Sequence, residues 1–329
     1  MDQSVLVTGS TGHLGEALMR TFRALRRPAV GLDIKPSAFT ERVGSVCDRA
    51  FVKECLRGVR TVVHTATLHK PHVATHTMQE FVDTNITGTL VLLEEAAAAG
   101  VESFIYTSTT STFGAALTPS AGEPAAWITE DVVPVPKNIY GVTKVAAESL
   151  CELFSRTRGL PLLVLRTSRF FPEDDDNAAT RSQYETLNAQ ANELLYRRAD
   201  IEDVVDAHLL AIENATRIGF RRYIISATTP FRRENLASLR NAAPQVVYEL
   251  FPDCEALYAA RGWSLFPHID RVYVNDLAVQ ELGWRPKYDF RHVLDSLRVG
   301  RDFRSPLARA VGSKGYHSTT FAEGPYPVQ

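Results

Sequence analysis

The sequence has few cysteines, and neither positive nor negative charge is in large excess. Both features limit the classes of protein to which the chain can belong. Its four cysteines form neither a C-x-x-C pair nor a metal-ligand spacing. We expect them to be small core residues or incidental thiols of a reducing compartment. The net charge is −2, with Lys and Arg spread along the chain, so nothing indicates a nucleic-acid partner.

Long apolar runs are missing as well. No run approaches the roughly 20 residues that span a bilayer. The opening stretch MDQSVLVTGSTG enters a strand almost at once, without a basic leader or an apolar signal core. We therefore expect a soluble, cytoplasmic protein without a membrane partner.

The first half of the chain alternates short apolar runs with helical patterns. With 329 residues, of which 45% are hydrophobic, the chain can bury one large core or two smaller ones. Helices are predicted near 13–26, 49–57, 78–99 and 139–158. The predicted strands are SVLVTG, AVGLDI, TVVHTAT, SFIYTST and PLLVLRTS. This alternation predicts an α/β fold with a parallel sheet covered on both faces.

Beyond residue 169 the alternation stops. A polar, acidic stretch precedes a predicted helix over 182–197, a helix in RRADIEDVVDAHLLAIENA and a strand in RRYIISA. From about 230 the pattern predicts a smaller α-rich region, and the tail GSKGYHSTTFAEGPYPVQ has no clear periodicity. The tail either wraps the body or remains mobile.

Three glycines separate the first strand from the first helix. Gly9, Gly12 and Gly15 lie in TGSTGHLGEAL, a variant of the G-x-G-x-x-G turn that binds a dinucleotide. Such glycines let the backbone approach a pyrophosphate, whose charge meets free N–H groups and the positive end of the helix.

An acid ends the second predicted strand. Asp33, in GLDIK, can accept hydrogen bonds from an adenosine ribose and repel a 2′-phosphate, which favours NAD over NADP. The alternative is that Asp33 caps a helix or turn. Lys35 lies close enough that binding of NADP remains an alternative to NAD.

In NIYGVTKVAAESL, Tyr140 and Lys144 stand four residues apart on a predicted helix. This spacing places a phenol and an ammonium on one helical face. The pair is either catalytic or two ordinary surface residues.

Taken together, the motifs resemble those of the extended short-chain dehydrogenase/reductases, the family that includes nucleotide-sugar epimerases and dehydratases. The likeness is strong over about 4–170 and looser beyond, through RADIEDVVDAH and LGWRPKYDF. Its motifs, in chain order, are TGSTGHLG, GLDIK, VVHTAT, DTNITGT, FIYTSTTSTFG, YGVTK and LRTSRFF.

The resemblance implies a Rossmann doubly wound parallel sheet with a smaller, α-rich C-terminal substrate domain. Residues 1–168, completed by about 200–226, would form the NAD-binding domain, and 169–329 the substrate-binding region and tail. It also implies a homodimer formed through the helices at 78–99 and 139–157.

The resemblance assigns catalysis to Tyr140 as the acid/base and to Lys144, which holds the nicotinamide ribose and lowers the pKa of the phenol. Thr109 would hydrogen-bond the reacting oxygen, with Ser108 as second choice. The residues expected to contact the cofactor are Gly9, Thr11, Gly12, His13, Leu14, Gly15, Asp33, Ser45, Val46, Thr65, Ala66, Thr67, Asn85, Thr107, Tyr140, Lys144 and Thr167.

Two departures from the family pattern concern ligand binding. Ser45 and Val46 stand where the family often has an acid that meets adenine, and Asp48 is expected to be a helix cap. Arg169 replaces an Asn usual in nucleotide-sugar enzymes. It would either face an anionic substrate group or pair with the neighbouring EDDD run.

The loop TLHKPHVATH brings histidines close to the expected cofactor. We expect substrate contacts from His69, Lys70, Thr109, Thr110 and Arg169. The alternative is a polar loop in which one or two histidines make structural hydrogen bonds. We expect no metal site, because no carboxylate or Cys completes a ligand set. His64 is expected to be a buried structural histidine.

The reaction remains open between two alternatives. Thr110 and Ser111 replace the acidic pair that sugar-nucleotide dehydratases use, which disfavours dehydration. Only residues 173–197 separate FFP from RADIEDV, fewer than we expect where a nucleotide diphosphate is clamped. The main interpretation is an NAD-dependent oxidoreductase acting on a secondary alcohol or ketone of a sugar-like or sugar-acid substrate. The alternative is a sugar or nucleotide-sugar epimerase with tightly bound NAD, and a non-catalytic NAD(P)-binding regulator is a third.

Overall fold

A parallel sheet of seven strands forms the centre of the protein. The computed structural model describes residues 4–314 and Phe321. The strand order is β3-β2-β1-β4-β5-β7-β8, and every neighbouring pair is parallel. The strands are β1 (Ser4–Thr8), β2 (Ala29–Asp33), β3 (Arg42–Val43), β4 (Val59–His64), β5 (Ser103–Thr109), β7 (Leu162–Thr167) and β8 (Phe220–Ile225).

Helices cover both faces of this sheet, as its apolar strands require. On one face α1 (His13–Ala24) and α8 (Ile201–Ile218) pack on residues such as Val7 and Leu165. On the other, α2 (Arg49–Cys55), α4 (Gly88–Ala98) and α5 (Ile139–Arg158) bury residues such as Phe104. The doubly wound α/β fold is as predicted.

The strand order reverses between β1 and β4, which places a crevice at the carboxyl ends of these strands. The glycine turn leaves β1 here, and the segments after β4 and β5 border the same crevice. Ligands of open α/β sheets bind at such switch points.

Two predicted helices differ from the observed ones. The predicted 78–99 helix consists of α3 (Met78–Phe81), a π turn (Val82–Thr87) and α4. The single helix predicted over 182–197 is wrong, because the chain forms α6 (Ala178–Gln183) and α7 (Thr186–Glu193). Between them Tyr184 adopts extended backbone angles, which break the helix.

A second apolar core lies outside the large sheet. β6 (Ala126–Ile128) pairs in parallel with β9 (Arg271–Tyr273), so the C-terminal region is not purely helical. Residues such as Trp263 and Phe290 build this core. Its helices are α9 (Leu236–Leu239), α10 (Ala243–Leu250), α11 (Cys254–Ala259) and α13 (Phe290–Arg298). Two further helices, α12 (Asp276–Glu281) and α14 (Pro306–Val311), pack instead on the large sheet's side with α1 and α8. The domain boundaries given above stay a prediction.

All four cysteines are free thiols in the structure, and three of them are buried. Among the described residues, no helix combines the length and the apolar character that crossing a bilayer requires. The greater part of the tail, 315–320 and 322–329, lies outside the described residues, and so does the prediction about it.

Candidate functional site

A cleft of about 880 Å³ opens at the carboxyl ends of the central strands. All the residues predicted to contact cofactor or substrate line this cleft, with the exception of Asn85. Ser108 also borders it. The tertiary structure therefore brings together segments that are far apart in the sequence.

The glycine turn forms one end of the cleft and is tightly folded. Gly9 has φ +72°, and a Cβ on it would lie 2.7 Å from the Ala66 amide nitrogen. A Cβ on Gly15 would lie 2.0 Å from the Gly9 carbonyl oxygen, so only glycine lets α1 start this close to β1. A Cβ on Gly12, the residue before α1, would lie near one atom only, the Gly9 carbonyl oxygen at 3.3 Å. The turn is a cradle that fits a pyrophosphate at the N-terminus of a 12-residue helix.

Asp33 lies next to this turn at the end of β2. One carboxylate oxygen accepts hydrogen bonds from the backbone N–H of Thr11 at 3.0 Å and from its hydroxyl at 2.8 Å. The other accepts from the Lys35 backbone N–H at 3.0 Å. These bonds fix the Asp33 carboxyl group on the wall of the cleft.

The segment after β3 also agrees with the prediction. Ser45 and Val46 line the cleft. Asp48 instead caps α2, because its side chain accepts from the Phe51 backbone N–H at 3.1 Å. The expected cap is confirmed.

Tyr140 stands in the first turn of α5, which is set close to the loop after β5. The Asn138 side chain caps the helix by accepting from the Gly141 N–H at 3.1 Å. A Cβ on Gly141 would lie 3.0 Å from the Ser111 carbonyl oxygen, so a side chain there would push the helix away. The Thr109 side chain lies close to the Tyr140 phenol and acts to lower its pKa.

In the protein without cofactor, burial opposes the ionisation of both members of this pair. Burial raises the pKa of Tyr140 to about 12, although the nearby Thr109 side chain works in the opposite direction. Burial lowers the pKa of Lys144 to about 7, although the Glu148 carboxylate raises it. The Lys144 ammonium donates to the Thr107 carbonyl at 2.6 Å and lies 4.2 Å from the centre of the Tyr106 ring. In the protein itself the phenol is therefore harder, not easier, to ionise.

Ser108, the second choice for a catalytic hydroxyl, has another role. Its hydroxyl donates to the buried carboxylate of Glu148 at 2.6 Å. Successive residues of a strand face opposite sides, so Ser108 points to α5 when Thr109 points to the cleft. Thr107 and Thr167 both border the cleft, and the Thr167 hydroxyl donates to the Ser108 carbonyl at 3.0 Å.

Asn85 does not line the cleft, in contrast to the prediction. Its amide nitrogen donates to the Leu68 carbonyl at 2.8 Å and to the Thr143 hydroxyl at 3.0 Å. Its oxygen accepts from the Thr67 hydroxyl at 2.9 Å and from the Leu68 N–H at 2.8 Å. With these bonds made and the side chain buried, Asn85 ties the loop after β4 to α5.

His64 is a buried structural histidine, as expected. Its two ring nitrogens meet the hydroxyls of Thr8 at 2.7 Å and Thr89 at 3.0 Å. The Thr89 hydroxyl donates to the Asn85 carbonyl, so it accepts from His64 Nε2–H, and Thr8 donates to Nδ1. Burial and the charge of Lys144 lower the pKa of His64 to about 3, in line with a neutral ring.

The histidine loop lies beside the catalytic candidates. The His69 ring centre is 6.4 Å from that of Tyr140 and 5.5 Å from that of Phe171. Two hydrogen bonds hold a short 3-10 turn (Lys70–His72). The His69 side chain accepts from the backbone of His72, and the His72 side chain accepts from the backbone of His69. In the described part of the chain, no three His, Cys, Asp or Glu side chains are arranged to hold a metal ion.

Arg169 pairs with the EDDD run, one of its two alternatives, and its contact with a substrate group stays a prediction. Its guanidinium pairs with Asp175 at 3.0 Å and with Asp176 at 3.4 Å, and Arg169 also lines the cleft. Lys70 pairs with Asp176 as well. Burial and the charge of Arg169 lower the pKa of Lys70, which shows how closely these cations are grouped.

Several residues that line the cleft were not expected from the sequence. With the exception of Phe171, at the end of LRTSRFF, they come from segments without a family motif, so no local pattern could have pointed to them. These residues include Lys137, Phe171, Arg197, Arg271, Tyr273 and Lys314.

Comparison with known proteins agrees with this geometry. Residues 5–225, more than half of the chain, match the model of the NAD dependent epimerase/dehydratase family. The chain belongs to this family. Membership confirms the predicted family, and NAD is the cofactor of the family.

Curated relatives are 25% to 30% identical to this chain over the residues that match. A UDP-glucose 4-epimerase of Rhizobium meliloti is 27% identical over 340 residues, which cover 90% of this chain and 96% of that protein. An NAD-dependent glucose-6-phosphate dehydrogenase of Haloferax volcanii is 30% identical over 165 residues, 46% of this chain and 62% of the relative. The chain spans about half the length of several curated relatives that it matches.

Solved structures show the same fold. A short-chain dehydrogenase/reductase superfamily protein from Agrobacterium tumefaciens with bound NAD superposes with a TM-score of 0.64 at 22% identity. The match covers 94% of this chain and 97% of that one. The predicted Rossmann fold class is confirmed.

Proposed function

We propose that the protein is an NAD-dependent epimerase that inverts a secondary alcohol of a sugar carried on a nucleotide. The observation that carries this proposal is that Tyr140, Thr109 and Lys144 line one cleft together with the glycine turn, with the Thr109 side chain close enough to lower the pKa of the phenol. The proposal replaces the main interpretation of the sequence, because the comparisons support the epimerase alternative better than a net dehydrogenase.

The residues of the cleft fit NAD from one end to the other. The glycine turn would hold the pyrophosphate, Asp33 the adenosine ribose, and Lys144 the nicotinamide ribose. Bound NAD would supply a hydride acceptor that can also return the hydride, and a positive charge that favours phenolate.

Tyr140 would move the proton. With its pKa at about 12 the phenol is protonated near pH 7 in the protein alone, so positive charge beside it is needed to favour phenolate. The phenolate oxygen takes the proton of the substrate hydroxyl as the C–H hydride leaves. It returns that proton to the carbonyl oxygen when hydride is added to the other face. The hydroxyl of Thr109 holds the reacting oxygen during both steps.

A group of cations supports a substrate with an anionic carrier. We call Lys70, Lys137, Arg169 and Arg197 the cation cluster, since they all line the cleft and the other three charges lower the pKa of Lys70. Arg197 pairs with the buried Glu193 at 2.9 Å. The planar donors of Arg169 and Arg197 suit a diphosphate, which would compete with the acidic partners of both.

Dehydration is the less suitable reaction at this site. Thr110 and Ser111 occupy the positions after Thr109, and neither can act as the acid that eliminates water. His69 stands close enough to the Tyr140 ring to contact a sugar hydroxyl.

The test is turnover of UDP-glucose or UDP-galactose by the purified protein with NAD. Product formation is followed by NMR, and net NADH by its absorbance. We expect the epimer without net NADH, and loss of turnover in Tyr140→Phe with NAD binding nearly intact. Tyr248→Phe, which alters a hydroxyl in the second core, is the matched control. Full turnover by Tyr140→Phe would refute the role of the phenol.

A net dehydrogenase is the second candidate. It is favoured by the match to an NAD-dependent glucose-6-phosphate dehydrogenase and by the short stretch 173–197. Accumulation of one NADH per product, with glucose 6-phosphate or another anionic sugar as substrate, would decide for it.

Assembly as a homodimer stays a prediction. The outer face of α5 exposes Val142 and Leu153, which are 49% and 40% accessible. These positions suit a helix pairing with a second copy.

A further inference from the structure

The last described segment of the chain, residues 305–314, runs back to the start of the cofactor-binding helix. Ser305 begins it: its N–H donates to Asp200 at 3.0 Å, and its hydroxyl accepts from the Ala308 N–H at 2.9 Å. α14 packs against α1 and α8, and Val311 is buried in the core that these helices share. The segment is thus part of the folded body.

Beyond α14 the chain is fastened to the neighbourhood of the glycine turn by polar contacts. Ser313 donates its hydroxyl to Glu173 at 2.7 Å, and the Lys314 backbone N–H donates to the same oxygen at 3.2 Å. The Lys314 ammonium pairs with Glu16 in the first turn of α1. Lys314 lines the cofactor cleft together with Gly12 and Gly15.

Two carboxylates lie beside the glycine turn: Glu16 lines the cleft, and Glu173 pairs with His13 at 2.9 Å. Although burial opposes ionisation, contacts with His13 and Ser313 lower the pKa of Glu173 to about 2. Burial likewise opposes the ionisation of Glu16, and the hydrogen bonds of Lys314 and Arg20 lower its pKa. Two negative groups beside the turn would repel a pyrophosphate, so a cation is needed between them and the phosphates.

We propose that Lys314 is a cofactor-binding residue whose ammonium contacts the pyrophosphate of NAD while it remains paired with Glu16. An ammonium has three donors, and the pair with Glu16 uses one side of it. This assignment rests on the proposal that the glycine turn holds NAD. It gives the C-terminal segment, outside the residues that match the family, a direct part in retaining the cofactor.

The test measures dissociation constants of NAD and ADP-ribose by calorimetry, without any sugar substrate. Lys314→Met should weaken both ligands about tenfold, and Lys314→Arg, which keeps the charge, should restore most of the affinity. The loss should shrink at high salt, because exposed charges are screened there. Lys287→Met, which removes an exposed ammonium paired with Asp206, is the matched control and should bind as the wild type does.

A double variant separates direct contact from neutralisation of Glu16. If Lys314 binds phosphate, Glu16→Gln combined with Lys314→Met should remain weak. If the double variant regains wild-type affinity, or if Lys314→Met binds NAD normally, the proposal is wrong. A wild-type protein that binds no NAD would overturn the cofactor site itself. Tight binding without sugar turnover would overturn only the proposed reaction.

Discussion

The Glu148 carboxylate receives hydrogen bonds from the Arg166 guanidinium, at 2.7 Å from Nη2 and 3.1 Å from Nε. Both side chains are buried, and the same carboxylate accepts from Ser108. Glu148 lies on α5 two turns after Tyr140, and Arg166 lies on β7. The pair therefore joins the helix that carries the catalytic candidates to the sheet.

Breaking this pair should destabilise the fold. Glu148→Gln leaves the Arg166 charge buried without its counter-ion, and we expect the free energy of unfolding to fall by about 3–5 kcal/mol. Urea denaturation followed by circular dichroism measures it. Glu102→Gln, in an exposed pair with Arg60, is the control and should cost less than about 1 kcal/mol. Equal losses in the two variants would contradict the structural role.

The Thr109 hydroxyl should matter for the rate rather than for the fold. Thr109→Val keeps the shape but removes the hydrogen bond to the reacting oxygen, and we expect kcat to fall about 100- to 1,000-fold. Thr109→Ser keeps the hydroxyl and should retain most of the activity. Steady-state kinetics with a measured NAD dissociation constant tests this. A valine variant as fast as the serine variant would count against the assignment.

Asp33 should set the preference between the two dinucleotides. Asp33→Asn removes the charge that repels a 2′-phosphate, so the ratio of NADP to NAD affinity should rise at least about tenfold. Asp48→Asn, which alters the cap of α2 outside the ribose site, is the control. Titration of protein fluorescence with each dinucleotide gives the ratio. An unchanged ratio would remove the argument for NAD selectivity.

Lys144 should make stability depend on pH in the cofactor-free protein. Its pKa is about 7 in the folded state and about 10.4 in an unfolded chain, so the unfolded state binds more protons between these values. The cost of burying the charge is complete below pH 7 and declines as the pH rises. The stability of the wild type should therefore rise relative to Lys144→Met from pH 7 to 9.5. Urea unfolding at several pH values measures the difference, and parallel curves would contradict it.

The amino-acid sequence by itself determined the features that depend on near neighbours. Gly9, Gly12 and Gly15 are a local turn signal, and Tyr140 and Lys144 share a face because a helix has 3.6 residues per turn. The central strands carry apolar residues on both faces, since a parallel sheet is covered on both sides.

Only the tertiary structure decided which side chains face the cleft. Ser108 and Thr109 are adjacent and chemically similar, and the strand turns one to Glu148 and the other to Tyr140. Lys314 meets Glu16 across 298 positions of the chain, a contact that no local pattern encodes. Such contacts come from the packing of α14 against α1, so they exist only when the whole fold is formed.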